Sequence, residues 1–138
     1  MKEALIDTDI LSYFLKGDEL VATKLIEYIK EHHYLNISII SHFEIMQGLE
    51  YKQASKQLSQ FSDFITKNCK VVNLSEVSIK HSARIYGELR RKGKEVGSLD
   101  LLIAGIAIEK ELDLITNNEK HYEDITGLRL DNWKRQGA

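Results

Sequence analysis

Apolar residues recur along this chain at two spacings, and the change from one to the other predicts its elements. Ala4-Leu5-Ile6 is a short apolar run, broken by Asp7 and Asp9 and resumed at Ile10-Leu11. A run this short reads as a buried strand with Asp7 at its carboxyl end. Asp9 and Ser12 open a short helix that stops near Gly17, with Asp9 as its candidate cap. Asp18 caps a second helix, on which Val21, Leu25, Tyr28 and Ile29 recur at helical spacing as far as His32-His33. Residues 34–38 read as a strand. Ser41 with Glu44 three positions on has capping-box spacing, and its helix runs through Ile45, Met46 and Leu49 to about Lys52. Leu58, Phe61, Phe64 and Ile65 mark another amphipathic helix, followed by a strand over 70–74.

The second half repeats the alternation. A long helix begins at Ser75 or Glu76, carries Ile79, Ala83, Tyr86 and Leu89 on one face, and ends at Gly93. Ser98 caps a helix that is apolar nearly all round from Leu99 to Ile108, the pattern of a buried central helix. A strand over 113–116, a helical turn over 119–124 and a short strand over 128–130 complete the chain. Short apolar strands alternating with helices predict an α/β fold. Its core is a central parallel sheet of about four to five short strands, with helices on both faces.

Composition narrows the class without naming a function. The 138 residues fit one domain spanning 1–138, with 43% hydrophobic and 29% charged residues. A net charge of −2 excludes a surface that binds polyanions throughout, so a nucleic-acid site would be a local patch. Cys69 is the only cysteine, which points to a reducing compartment. The apolar stretch 101–108 is far too short to span a membrane, and the acidic N-terminal residues do not fit a signal peptide. The expectation is a cytoplasmic protein.

Three carboxylates interrupt apolar sequence near the start or end of an element. Asp7 ends the first strand, Glu44 lies in the first turn of its helix, and Asp100 lies in the first turn of the most apolar helix. Strand carboxyl ends and helix amino ends share one edge of a parallel sheet, so the three acids are placed to converge there. Thr116-Asn117-Asn118-Glu119 reaches the same edge. Converging carboxylates suit hard cations such as magnesium or manganese, and such ions stabilise phosphodiester displacement. The structural alternatives are equally concrete. Asp9 serves as a plain cap, Glu44 closes a capping box with Ser41, and Asp100 favours a first turn through the helix dipole.

At these residues the chain resembles the PIN-domain family of metal-dependent ribonucleases, and within it the bacterial VapC-type toxins. The matching pieces run in order over nearly the whole length. They are Leu5 to Leu11; Ser41 with Glu44 and Gly48; Gly97 to Ala104; Ile115-Thr116-Asn117-Asn118; and His121-Tyr122, Gly127 to Asp131 and Trp133. The resemblance implies a PIN-like fold in which Asp7, Glu44 and Asp100 are the catalytic and metal-binding acids. Magnesium would be the ion and manganese its substitute. Many members have a fourth acid where this chain has Asn118, so the resemblance leaves one or two ions open. Glu119 and Asp9 are the residues that could supply the missing charge, and Thr8 falls beside the metal site. It further implies an endoribonuclease, the toxin of a type II toxin–antitoxin pair. Water would attack a phosphodiester of structured RNA, tRNA being among the targets of such toxins, leaving a 5′-phosphate and a 3′-hydroxyl. Its partners would be the RNA, a cognate antitoxin and a second copy of the chain.

Arg90, Arg91, Lys92 and Lys94 are the densest basic segment, and Lys134 and Arg135 could extend it. They read either as a phosphate-binding rim or as a solvated helix end whose cations oppose the dipole. His42 and His81 read as core or helix-surface residues. Two other functions stay open from the sequence. Asp7-Thr8-Asp9 fits the paired aspartates of haloacid-dehalogenase-like phosphatases, although Leu11 does not suit that motif. A non-catalytic RNA-binding PIN module would keep the acids as a relic.

Overall fold

The structure is a computed structural model and describes residues 1–135. Five strands form one parallel sheet: β1 (Ala4–Ile6), β2 (Leu35–Ser38), β3 (Cys69–Val72), β4 (Asp113–Ile115) and β5 (Leu130–Asp131). The helices are α1 (Thr8–Leu15), α2 (Glu19–His32), α3 (Ile39–Tyr51), α4 (Ser55–Asn68), α5 (Glu76–Arg91), α6 (Ser98–Glu109) and α7 (Glu119–Tyr122). Strand order is β3-β2-β1-β4-β5. The chain thus builds outward from β1 to β3, then returns to the other side of β1 for β4 and β5. The order reverses between β1 and β4, and such a switch point is where open α/β sheets leave a crevice for ligands.

Alternation along the short strands assigns the two faces. Ala4 and Ile6 pack with α1 to α4 through Ile10, Leu25, Tyr28, Ile45 and Phe61. Leu5 and Leu114 pack on the other face with Ile85 and Leu89 of α5 and Leu101, Ile103 and Ile106 of α6. Both faces are covered, so β1 is buried along its whole length. The apolar α6 is central as its composition predicts, burying Leu101 and every residue from Ile103 to Ala107. Among the described residues, no helix is long and apolar enough to cross a membrane.

Several boundaries differ from the sequence expectation, and each difference has a local cause. Helix α1 begins directly after β1, with Asp7 rather than Asp9 as its cap. Helix α3 begins at Ile39, because Ser38 at the end of β2 accepts from the Ser41 amide at 2.9 Å. The expected Ser41–Glu44 capping box therefore does not form, and Glu44 sits in the second turn. Gly97, not Ser98, occupies the cap position of α6 and offers no side-chain bond. Strand β3 starts one residue earlier than expected, where Cys69 pairs with Leu35.

Helices α5 and α6 cross at very close range. A β-carbon added at Gly105 would fall 2.4 Å from the Ser78 carbonyl oxygen and 2.1 Å from Ser82 Oγ. Ser82 Oγ meanwhile donates to the Leu101 carbonyl at 2.8 Å, so the crossing is bonded as well as tight. Gly105→Ala must push backbone apart, and the expected loss is about 1–3 kcal/mol, read as a lower denaturant midpoint with an unchanged slope. An unchanged midpoint would show that the crossing relaxes freely.

Candidate active site

The crevice between β1 and β4 holds Asp7, which is 3% exposed. Its Oδ1 accepts from the Thr8 amide at 2.8 Å and its Oδ2 from the Thr116 hydroxyl at 2.7 Å. Thr116 follows β4, so this second bond ties the two strands together across the switch point. Burial raises the Asp7 pKa from 3.8 to about 7, and the nearby charges of Asp9 and Asp100 add to the rise. The hydrogen bonds from Thr116 and Thr8 oppose that rise without cancelling it.

Asp100 comes to the same edge from the first turn of α6. His121 lies outside it, with Nδ1 3.1 Å from Asp100 Oδ2. Glu44 reaches the edge from α3. The Thr8 hydroxyl donates to Glu44 Oε1 at 2.6 Å and lies 2.8 Å from Ser41 Oγ, which is itself 3.3 Å from Ser38 Oγ. A chain of hydroxyls thus carries order from the end of β2 to the residue beside Asp7. Asp9 is held by the amides of Ile10 at 2.8 Å and Asn117 at 2.9 Å. Burial raises its pKa as well.

The acids share an edge but do not close into a ready ligand set. Among the described residues, no three His, Cys, Asp or Glu side chains are grouped closely enough to hold a metal ion. Glu44 is drawn to Thr8, and mutual repulsion opposes any closer approach of the carboxylates. The donor set is all oxygen, which suits a hard cation that keeps much of its water and takes one or two carboxylates directly. A second observation points the same way. Tyr122 is 1% exposed, its hydroxyl has no hydrogen-bond partner, and it stands beside both Asp7 and Asp100.

The remaining sequence candidates are placed as follows. Asn118 is exposed and does not cap the turn it precedes, although its amide donates to Thr116 Oγ1 at 3.0 Å. The Glu119 carboxylate accepts from Asn132 Nδ2 at 3.2 Å and pairs with Arg135 at 3.3 Å. Arg90 pairs with Glu95 at 2.6 Å and Lys94 with Asp124 at 2.8 Å, while Arg91 folds back over Gly87 and Lys92 is exposed. Lys134 pairs with Asp18 at 2.5 Å and lies over the Tyr13 ring. His42 packs edge-on against Phe61, and His81 stands 3.3 Å from Arg84 on the helix surface. Spacing placed Thr116 at this edge without giving it a role, and His121 and Tyr122 are the site neighbours it did not single out. The available signal was a threonine ending an apolar strand, and an aromatic residue just past the same edge.

An apolar groove of about 410 Å³ leads away from Thr8 and Glu44 between α1, α3 and α4, over Phe14, Leu49, Phe61 and Phe64. A larger hollow of about 930 Å³, by Lys24, Asp113, Trp133 and Arg135, contains none of the three acids.

A parallel sheet in order 3-2-1-4-5 with acids at its switch point is a doubly wound architecture that several α/β families share, and the sequence decides among them. The sequence matches the PIN domain over residues 4–126, and the chain belongs to the PIN-domain family, in its VapC-type branch. It is 31% identical to the tRNA(fMet)-specific endonuclease VapC of Salmonella typhimurium, covering 96% of this chain and 99% of that one. It is 25% identical to Ribonuclease VapC1 of Haemophilus influenzae, covering 95% and 98%. Among solved structures, VapBC2 from Rickettsia felis bound to a promoter DNA fragment superposes with a TM-score of 0.86 at 28% identity, covering 94% and 98%. DNA-bound VapBC from Salmonella typhimurium gives 0.86 at 29%, covering 96% and 99%. These likenesses favour neither the phosphatase nor the non-catalytic reading. Asp9, the second acid that a phosphatase would use, has both oxygens engaged by backbone amides.

The electrostatics of Asp7 give a test with a definite sign. Its folded pKa of about 7 lies above the ordinary 3.8, so the folded state favours the protonated form. The resulting stability is fully present below about pH 4 and is lost as pH rises through about 7. In chelator, Asp7→Asn keeps the size and the cap but has no charge to lose. The variant is expected to gain on the parent from acid to pH 8, by roughly a few kcal/mol at about 1.4 kcal/mol per pH unit. Melting curves across this range read it, and a difference that does not change with pH would show that Asp7 carries no buried charge in the folded protein.

Proposed function

We propose that this protein is a divalent-metal-dependent endoribonuclease of the toxin type, acting as one PIN domain. The observation that carries the proposal is the buried Asp7 carboxylate at the switch point, set beside Asp100 and bonded to Thr116. The names of the relatives, a tRNA-specific endonuclease and a ribonuclease, support the substrate class. Asp7 and Asp100 would hold the ion, with Glu44 turning from Thr8 to join them or to order its water. Magnesium is the ion proposed, with manganese able to replace it. When bound, the ion supplies charge neutralisation and Lewis-acid polarisation at a phosphate oxygen.

The chain's own residues prepare that site. Thr116 and the Thr8 amide fix the Asp7 carboxylate, and Ser41 and Thr8 fix Glu44. Asp9 and Asn117 hold the loop after β4 against α1. Water adds to the phosphorus and the bond to the 3′-oxygen breaks, leaving a 5′-phosphate and a 3′-hydroxyl. Arg90, Arg91, Lys92 and Lys94 would receive neighbouring phosphates, Arg90 and Lys94 after exchanging their carboxylate partners. The solved neighbours are toxin–antitoxin complexes, so a cognate antitoxin is the proposed protein partner. The apolar groove beside Thr8 and Glu44 suits an amphipathic segment of that antitoxin, which would cover the acids. Pairing with a second copy and residence in the cytoplasm complete the proposal.

The test is cleavage of folded RNA by purified protein. Magnesium or manganese should give discrete cuts and chelator none, while a phosphatase substrate stays intact. Asp100→Asn and Glu44→Gln should each lower cleavage about a hundredfold or more, since even the hydrogen-bond partners of metal ligands are worth ten- to a hundredfold. Their melting curves in chelator should show a folded protein. Reversing the charge of Arg90 and Arg91 together should weaken RNA binding and flatten its salt dependence. Cleavage that survives both acid substitutions would overturn the proposal.

A further inference from the structure

The Tyr122 hydroxyl is the least explained polar group among the described residues. It is fully enclosed, in a residue 1% exposed, and it makes no hydrogen bond. Buried polar groups are nearly always paired, and one that is not costs stability unless it has a task. The ring is fixed by its surroundings, since it packs into the apolar cluster of Ile103, Leu114 and Ile125. That packing aims the oxygen into the acid site, where the charges of Asp7 and Asp100 both act on it. The neighbouring His121 meets Asp100 from the solvent side at 3.1 Å. One short turn, α7, therefore presents two consecutive side chains to the same carboxylate, one from outside and one from within.

We propose that Tyr122 is a positioning residue of the acid site, whose O–H dipole faces the space between Asp7 and Asp100 and sets their separation. The proposal rests on the reading of this edge as a cation site. A dipole between two carboxylates offsets part of their repulsion. It also closes the interior side of the two carboxylates, leaving their open side for a cation. The phenol is too enclosed to meet substrate, so its effect reaches the reaction only through the two acids. Partners of this kind fix ligand orientation and commonly change metal affinity by ten- to a hundredfold.

Tyr122→Phe removes one oxygen and keeps the ring packing. Two measurements on the intact protein decide the matter. Calorimetric titration with manganese should show affinity about tenfold weaker in the variant. Melting in chelator at pH 8 should show the variant less stable, because the carboxylates lose the dipole between them. In cleavage assays kcat should fall while KM for RNA stays the same. A merely structural tyrosine predicts the opposite pair of results. Removing an unpaired buried hydroxyl would raise the melting temperature, and manganese would bind as before. Where the parent binds manganese better than Asp7→Asn does, equal affinity in Tyr122→Phe overturns the proposal, and a higher melting temperature overturns it in every case. Asp7→Asn in the same titration separates the two levels. If the parent binds manganese no better than Asp7→Asn, the cation site itself is wrong. The melting comparison in chelator then still decides whether the hydroxyl serves the acid pair.

Discussion

Asp7 puts a carboxylate into the protein interior at the point where strand order reverses, and the surrounding structure answers to that placement. A charge there is costly, and its raised pKa registers the cost. Two bonds partly offset it: the Thr8 amide at the start of α1 and the Thr116 hydroxyl at the end of β4. The same two bonds fix where α1 leaves β1 and where β4 lies against it. Those junctions bring Asp9 and Asn117 together at the edge, and the first turn of α6 adds Asp100. The acid site and the centre of the sheet are therefore one arrangement, with Asp7 contributing to both.

Hydroxyl groups do most of the remaining work around the acids. Ser38, Ser41 and Thr8 form a line from the end of β2 to Glu44, and Thr116 and Tyr122 flank Asp7. Lysine or arginine in these places would neutralise the carboxylates outright and leave little attraction for a cation. Hydroxyls orient the oxygens while leaving the negative charge in place. Within the basic segment, Arg90 and Lys94 are paired with Glu95 and Asp124 instead. Negative potential is thereby kept at the centre, with basic side chains elsewhere on the surface.

Much of this was legible in the sequence because periodicity reports burial. The apolar run at 4–6, the apolar pair Leu114-Ile115 and the all-round apolar α6 identify the inner strands and the central helix, and the PIN resemblance agrees with the topology found. Cap positions were less legible. Ser41 with Glu44 has the right spacing for a capping box, but Ser38 ends its strand directly against the helix and takes the cap itself. Asp9 likewise looked like a cap, whereas Asp7 holds that position and Asp9 bonds across to Asn117. Both errors arise where a strand passes into a helix without a loop, so that local spacing gives no boundary. Tyr122 was hidden for a different reason. A single aromatic in a short turn looks like packing, and only the fold reveals that its oxygen points at two acids more than twenty residues away in sequence.

Asp7 and Asp100 are assigned together as a cation site at the switch point. The direct measurement is a crystal of the protein soaked in manganese, with anomalous scattering recorded to locate the ion. The account predicts a peak at ligand distance from both carboxylates, on the open side opposite Tyr122, and its loss in Asp7→Asn crystals. An anomalous map with no peak at that edge, or with manganese bound only at surface acids elsewhere, would contradict it.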